Sequence, residues 1–394
     1  MANDSRGGNL KYLRESNMNK VLRVLVREGQ TSRNVVTKKL QLSKMTISNL
    51  INKLIEADYL EETKPIEKRQ KASAGPKPMA IRIKAGRIMA IGIHIENEEV
   101  IVQLADITSG CIDSITTDLK DAESNLKALN HLKDTVQTLI DRNTQYVPHI
   151  IGIGVSYYGT LDSNRGILLF KLCDKETVNL NVKQSLEKAF GLPVVIGSQM
   201  QGMVLAEMIY GIATNKSNFI YVGLNNNIKS ALVVDHVIYS GACGAGGHLG
   251  HMTINYDGEL CRCGKRGCYN LYASTEVLLQ KSGCETFDQF IKKAKEKEPK
   301  TLRAIEDFIH ATAIAFGNIV NMYEPECIIF GLDASKLPTF VMKQIEKLTN
   351  ERSIQRKLHY TKVLQAKLGD HNQKVGAAAL VFHHLLNGNI TLGE

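Results

Sequence analysis

Two periods of apolar and polar residues run along this chain, and one gives way to the other near residue 85. Over residues 17–28 (NMNKVLRVLVRE), Val21, Leu22, Val24 and Leu25 recur at helical spacing. Gly29 follows, as glycine often follows a helix C-terminus. The next stretch, TSRNVVTKKLQLSKMTISNLINKLIEADYLEE, predicts two more helices. Thr31 or Ser32 caps the first, which turns Val35, Val36 and Leu40 inward. Residues 41–42 make a short turn. Ser43 caps the second, whose apolar stripe is Ile47, Leu50, Ile51 and Leu54. Residues 59–63 and 79–83 then read as two short strands around KPIEKRQKASAGPKP.

Two short helices joined by a tight turn, the second polar on its outer face, form a helix-turn-helix. Ser43, Lys44, Thr46, Ser48, Asn49 and Lys53 are the short polar and basic groups that reach base edges from a major groove. Arg33 and Lys38 on the preceding helix are placed to hold phosphates. A basic hairpin tip behind such a unit is the wing of a winged helix, with Lys68, Arg69, Lys71 and Lys77 along the DNA backbone. The competing expectation is a small helical docking module with a solvated loop. Charge bears on the choice. Residues 1–84 hold 18 Lys and Arg against 8 Asp and Glu, whereas the whole chain has a net charge of +9, so the remainder is close to neutral. A basic segment on a neutral body suits a polyanionic partner.

From Gly86 the pattern becomes that of an α/β protein. RIMAIGIHI and VIVQLADI are apolar strand-like runs around a polar turn, and FIYVGL and SALVVDHVIYSG repeat the arrangement. Helical stretches follow at residues 125–141, 182–190, 199–210, 302–322 and 375–386. Strand pairs followed by helices, twice over, predict two α/β lobes with a cleft between them. Hydrophobic content of 43% and charged content of 23% are ordinary for a soluble globular protein. No apolar run is long enough to span a bilayer. The N-terminus (MANDSRGGNLKYL) lacks the apolar core of a signal peptide, so the expected location is cytoplasmic. Of eight cysteines, only Cys261, Cys263 and Cys268 cluster; the others read as buried thiols.

The order of these features resembles the ROK family of bacterial repressors, open reading frames and sugar kinases. The resemblance spans nearly the whole chain and is most specific in residues 247–274, GHLGHMTINYDGELCRCGKRGCYNLYAS. The family pattern there is close to GExGHxx…CxCGxxGCxE followed by Ala-Ser. The resemblance implies an actin-like (ribonuclease H-like) pair of lobes and a structural zinc site. One imidazole and three thiolates, from His251, Cys261, Cys263 and Cys268, suit tetrahedral Zn²⁺ and leave no open position for water. Gly264 and Gly267 let the chain turn around the ion. The family's kinases bind a sugar near this segment. The implied effector contacts are Tyr158, Ser198, Gln199, His248 and His251, with His248 at the place of the sugar-binding Glu.

The kinase machinery itself is missing. Where the kinases have an Asp-x-Gly-x-Thr-like loop, this chain has HIENE at residues 94–98. Where they have a second glycine-rich phosphate loop, it has LNNNI at residues 224–228. The Asp that serves as base is replaced by Gln199, which cannot take a proton from a hydroxyl at neutral pH. The expectation is therefore a sugar-responsive repressor, not an enzyme. Residues 1–84 bind a near-palindromic operator, and residues 85–394 bind the effector and form a homodimer or tetramer. Within the latter, one lobe covers about residues 85–195 plus the C-terminal helix and the other 196–374. The alternatives are a sugar kinase with an accessory DNA-binding domain and a regulator that responds to metal.

Overall fold

The structure, a computed structural model, describes residues 4–64, 79–96, 99–119, 124–159, 161–162, 165–170, 178–239, 241, 246–369 and 371–392. The chain divides into two units, residues 1–210 with 372–394 and residues 211–371. The first begins with α1 (Asp4–Glu28), β1 (Thr31–Ser32), α2 (Arg33–Leu40), α3 (Lys44–Glu56), β2 (Leu60–Thr63) and β3 (Ala80–Ile83). The three strands form an antiparallel sheet in the order β1-β3-β2. Val21, Leu22, Leu25, Val36, Ile47, Ile51 and Leu54 are buried in the helical core. This is the winged helix-turn-helix expected from the sequence, with its first helix extended back to Asp4.

Local capping follows the sequence in part. The Ser43 hydroxyl accepts from the Thr46 N–H at 3.1 Å and starts α3. Gln41 closes α2 in the left-handed region, at φ 54. Ser32 occupies the N-cap position of α2, but its side chain makes no capping bond. Thr31 and Ser32 pair instead with Ile81 and Ala80 as a short buried strand.

The same unit continues with β4 (Met89–Glu96), β5 (Glu99–Asp106), β6 (Gly110–Asp118), α4 (Asn125–Arg142), β7 (Ile150–Tyr158), β8 (Leu161–Asp162), β9 (Ile167–Phe170), β10 (Val178–Asn181), α5 (Val182–Phe190), β11 (Val194–Ser198) and α6 (Gln199–Ile209). Five strands form one sheet in the order β11-β7-β4-β5-β6. β4, β5 and β6 are an antiparallel meander, and β7 and β11 add in parallel on the other side of β4. β8, β9 and β10 make a small antiparallel sheet.

The second unit contains β12 (Phe219–Leu224), β13 (Lys229–Val234), β14 (Val237–Ile238), α7 (Asn270–Ala273), α8 (Thr275–Ser282), α9 (Phe287–Lys295), α10 (Pro299–Tyr323), β15 (Cys327–Leu332), α11 (Thr339–Glu351) and β16 (Lys362–Gln365). Its sheet runs β14-β13-β12-β15-β16. Again a three-strand antiparallel meander is extended by two parallel strands on the far side of the first. The two units share one strand topology, the internal repeat of the actin-like fold. Each has its own apolar core, around Ile91, Val102 and Ile153 in one and around Phe308, Phe316 and Phe330 in the other.

The chain returns to the first unit as α12 (His371–Leu386). Small residues make room for its backbone. A Cβ at Gly154 would overlap the Ala377 carbonyl oxygen, one at Gly92 would lie 2.8 Å from the Ala378 nitrogen, and one at Gly202 would lie 2.9 Å from the Gly376 oxygen. At the other end of α12, Arg23 Nη2 donates to the Leu386 carbonyl and to Asn387 Oδ1, both at 2.7 Å. That ties α1 to the C-terminal helix. α6 packs on β7, β11 and α12, and the division between the two units falls after Tyr210.

Gln103, on β5, is 1% exposed, and neither of its amide atoms has a hydrogen-bond partner among the described residues. An orphaned buried amide costs about 1–3 kcal/mol. Replacing it with the similarly sized, apolar methionine removes that cost. Gln103→Met is expected to raise the thermal midpoint, by roughly 1 kcal/mol of stability. A lowered midpoint would show that the amide is satisfied in solution.

Candidate functional site

The winged helix presents α3 outward. Lys44, Met45, Asn49 and Asn52 are exposed along it, whereas Thr46, Ser48 and Lys53 are half-buried. The Ser43 and Thr46 hydroxyls lie 2.9 Å apart and serve the helix cap. Met45 is 76% exposed and Asn52 stands two turns further along the same face. Sequence reasoning overlooked both. The signal was available in the spacing 45, 49, 52, which places them on one helical face opposite Ile47 and Leu54. A bare methionine at the start of a recognition helix suits contact with a thymine methyl group.

Arg33, expected to hold a phosphate, is engaged within the module. Its Nη2 pairs with Glu62 Oε1 at 2.8 Å, and its Nη1 donates to the Ser48 carbonyl at 3.5 Å. A pair this exposed contributes only about 0–1 kcal/mol, so a phosphate can compete for it. Lys38 is exposed. Lys68, Arg69, Lys71 and Lys77 lie outside the described residues.

The module is joined to the lobe through Asp58, just past α3. Asp58 receives Lys84 Nζ and Arg87 Nη2, each at 2.6 Å. The hydrogen bond from Lys84 holds its carboxyl below the usual range, with the Arg87 charge adding to the effect. Arg87 Nη1 also lies 2.5 Å from His149 Nε2. Burial, and then the Arg87 charge, lower the pKa of that imidazole, so a neutral ring accepts from the guanidinium.

In the second unit, residues 246–274 bring together one imidazole and three thiols. The donor atoms of His251, Cys261, Cys263 and Cys268 all lie within 4.8 Å of one another. Cys261 Sγ is 3.7 Å from His251 Nδ1, and Cys263 Sγ is 3.6 Å from Cys268 Sγ. A tetrahedron with bonds of about 2.3 Å has edges of about 3.8 Å, so these spacings fit a Zn²⁺ ion. The backbone builds the cage. Cys261 N–H donates to the Lys265 carbonyl at 2.7 Å and Gly264 N–H to the Cys261 carbonyl at 2.9 Å. Gly267 has φ 64, and a Cβ there would overlap the Asn255 carbonyl. Burial and then the neighbouring thiols push the Cys268 thiol up to about 12. A divalent cation held among the four donors would favour the thiolate form of the cysteines.

The expected effector residues fall in both units. Tyr158, Ser198 and Gln199 belong to the first, His248 and His251 to the second. Parallel pairing sets the C-terminal ends of β4, β7 and β11 side by side, with Glu96 opposite Tyr158 and Ser198 opposite Tyr157. Ser198 caps α6 in a reciprocal box with Gln201. Gln199 is buried, and its Nε2 donates to Glu96 Oε2 at 3.0 Å. Burial first and the Glu96 charge second raise the Tyr158 pKa and keep the phenol protonated. His248 is exposed, its ring 6.4 Å from that of His251.

The second phosphate-loop position is occupied by its own side chains. Asn226 N–H donates to Asn225 Oδ1 at 2.7 Å and Ile228 N–H to Asn270 Oδ1 at 2.8 Å. Asn270 Nδ2 also reaches Asn227 Oδ1 at 3.0 Å. These are backbone donors that a phosphate cradle would need. Asn270 was not singled out from the sequence, although it stands at the last position of the cysteine motif, where the family pattern has Glu.

Comparison with known proteins gives the same picture. The sequence profile of the ROK family matches residues 112–384. The chain is 26% identical to the xylose repressor of Caldicellulosiruptor bescii, over 96% of this chain and 98% of that protein. It superposes on the crystal structure of a ROK family transcriptional regulator, a homologue of the Escherichia coli Mlc protein, with a TM-score of 0.78 at 20% identity, covering 95% of this chain and 97% of the other. It superposes on the ROK hexokinase of Thermus thermophilus with a TM-score of 0.64 at 19% identity, covering 74% of this chain and 97% of the other.

Proposed function

The chain belongs to the ROK family, and from that premise we propose that it is a sugar-responsive, DNA-binding transcriptional repressor without kinase activity. One observation carries this most directly. A winged helix with an exposed polar α3 is built into the same unit as an α/β lobe, through Asp58 at one contact and Arg23 at another. A DNA reader fixed to a ligand-binding body by two sets of polar contacts is equipped to pass a change in one to the other. The likeness to a protein named xylose repressor, over nearly the full length of both chains, supports the same function.

Operator DNA is the macromolecular partner, and recognition runs through Lys44, Met45, Asn49 and Asn52 of α3 with phosphate contacts from Lys38 and the wing lysines. Helix-turn-helix geometry favours a twofold homodimer on a near-palindromic site. Such a regulator works in the cytoplasm, and among the described residues no helix is long and apolar enough to cross a membrane. Zinc at His251, Cys261, Cys263 and Cys268 is structural: four protein donors fill a tetrahedral shell. The effector is a small sugar or sugar derivative, contacted in the first unit by Tyr158, Ser198 and Gln199. It changes operator affinity by preferring one arrangement of the protein over another.

Loss of phosphotransfer follows from three departures. Gln199 cannot act as a base, the backbone N–H groups of Asn226 and Ile228 are already taken by asparagine side chains, and Glu96 stands where a nucleotide phosphate would need a neutral cradle. The test is a retardation assay on promoter fragments from the source genome, repeated with a sugar panel and with added zinc, alongside an ADP-release assay. Retention of one fragment that a sugar alters, with ADP release no higher than in Gln199→Ala, is the expected result. Sugar-dependent ADP release above that control would establish a kinase, and a response to zinc alone a metal sensor.

A further inference from the structure

At the C-terminal edge of β4, Glu96 sits among groups that hold its carboxylate in place. Its Oε2 accepts from Gln199 Nε2 at 3.0 Å and lies 3.4 Å from His94 Nε2. His94 is itself 3% exposed and has Ser156 Oγ 3.3 Å from its Nδ1. Gln199 is 6% exposed. Both partners are therefore fixed in the lobe, whereas the Glu96 side chain keeps 27% of its surface open. The result is a carboxylate that is oriented, partly open to solvent and without a Lys or Arg partner among the described residues. It lies at the carboxyl ends of parallel strands, where ligands of open α/β sheets bind.

Two consequences of that chemistry point the same way. An ionised carboxylate is an acceptor only, so it suits the hydroxyl donors of a polyol. Lacking a cationic partner, it repels a phosphate placed beside it, and it does so in the poorly screened interior of a lobe. Resting on the sugar-effector function above, we propose that Glu96 is a specificity-determining effector contact: it accepts from a sugar hydroxyl, with Gln199 and His94 as its positioning residues, and restricts the site to unphosphorylated sugars. Gln199 and Glu96 then act as a pair. The amide at 199 gives up the acceptor role and uses its N–H₂ to aim a carboxylate supplied by β4, two strands away from β11 in the sheet.

The test is calorimetry on the full chain with D-xylose, D-glucose, N-acetylglucosamine and the 6-phosphates of the two hexoses. The wild type should bind at least one free sugar, and any free hexose it binds at least about 100-fold more tightly than its 6-phosphate. Glu96→Gln, which keeps shape and removes charge, should weaken the free sugar about 10-fold and narrow the gap to the phosphate. Glu96→Asp, which retracts the carboxylate but keeps its charge, should weaken the free sugar while preserving the gap. Unfolding midpoints of both variants check that the lobe is intact. A wild type that prefers a sugar phosphate overturns the proposal, as does a Glu96→Gln variant with unchanged affinities. No response to any probe, with operator DNA still retained, would instead remove the sugar-effector function, and the role of Glu96 with it.

Discussion

Replacing Cys268 with serine is expected to strip the protein of its metal and to loosen the whole of residues 246–274. Cys268 is fully buried, and it is the thiol through which the cage is joined to the strand-like pairing of Thr253 with Cys268 and to the start of α7. The ends of the segment are anchored in the core by Leu249, Tyr269 and Ala273, whereas the loop between them depends on the cage. Its turns are closed by Gly264 and Gly267, and Tyr256 and Leu260 face solvent at 83% and 65% exposure. Structural zinc contributes about 10–16 kcal/mol of binding free energy in small fingers, so losing one of four ligands removes several kcal/mol here. For a unit of this size that corresponds to a fall in thermal midpoint of roughly 10 °C. Elemental analysis of protein never exposed to chelator should give about one zinc per chain for the wild type and far less for the variant. Cys284→Ser is the control, a buried thiol outside the cluster; it should keep its zinc. A metal-free wild type, or a Cys268→Ser protein with a full complement of zinc, would be incompatible with the assigned ligands.

The second large effect concerns salt. If Lys38, Lys44 and the wing residues Lys68, Arg69, Lys71 and Lys77 meet phosphates in both halves of a dimer, binding releases on the order of ten counterions. Operator affinity should then fall by about 10³–10⁵ between 50 and 200 mM monovalent salt. Fluorescence anisotropy across that range gives the slope directly. A flat response would exclude the basic face as the binding surface. The same titration separates positioning from sequence recognition. Asn49→Ala should cost about 1–3 kcal/mol on the operator and little on scrambled DNA, because an amide to a base edge carries sequence information. Lys71→Ala should weaken both equally and reduce the slope by about one. Identical specificity profiles for the two variants would mean that α3 does not enter the groove.

What the sequence disclosed depended on how far apart the interacting residues lie. The helix-turn-helix was visible because its stripe of Ile47, Leu50, Ile51 and Leu54 and its Ser43 cap are local. The metal cage was visible because its four donors fall within 18 consecutive residues. Features set by distant partners were hidden. β7 reads IIGIGVSYY, and its glycines blur the strand signal; Gly154 is required by a helix more than 200 residues further along, and Gly152 by the Pro193 carbonyl as well as that helix. The partner of Arg33, Glu62, lies 29 positions away and is not legible from the local pattern. Glu96 looked only like an obstacle to nucleotide, since nothing local reveals that Gln199, 103 positions away, would aim it. The two-residue strand β1 escaped notice because it exists only through its pairing with β3.

The closing helix has a consequence for synthesis. α12 holds 16 residues near the end of the chain, yet it covers Gly92, Gly154 and Gly202 of the first unit and anchors α1 through Arg23. The ribosome must therefore finish the intervening 161 residues of the other unit before the earlier one can complete its core. A transcript cut short anywhere upstream yields a polypeptide with an open apolar sheet and an untethered first helix. Such a product exposes to proteases the surface that α12 otherwise covers.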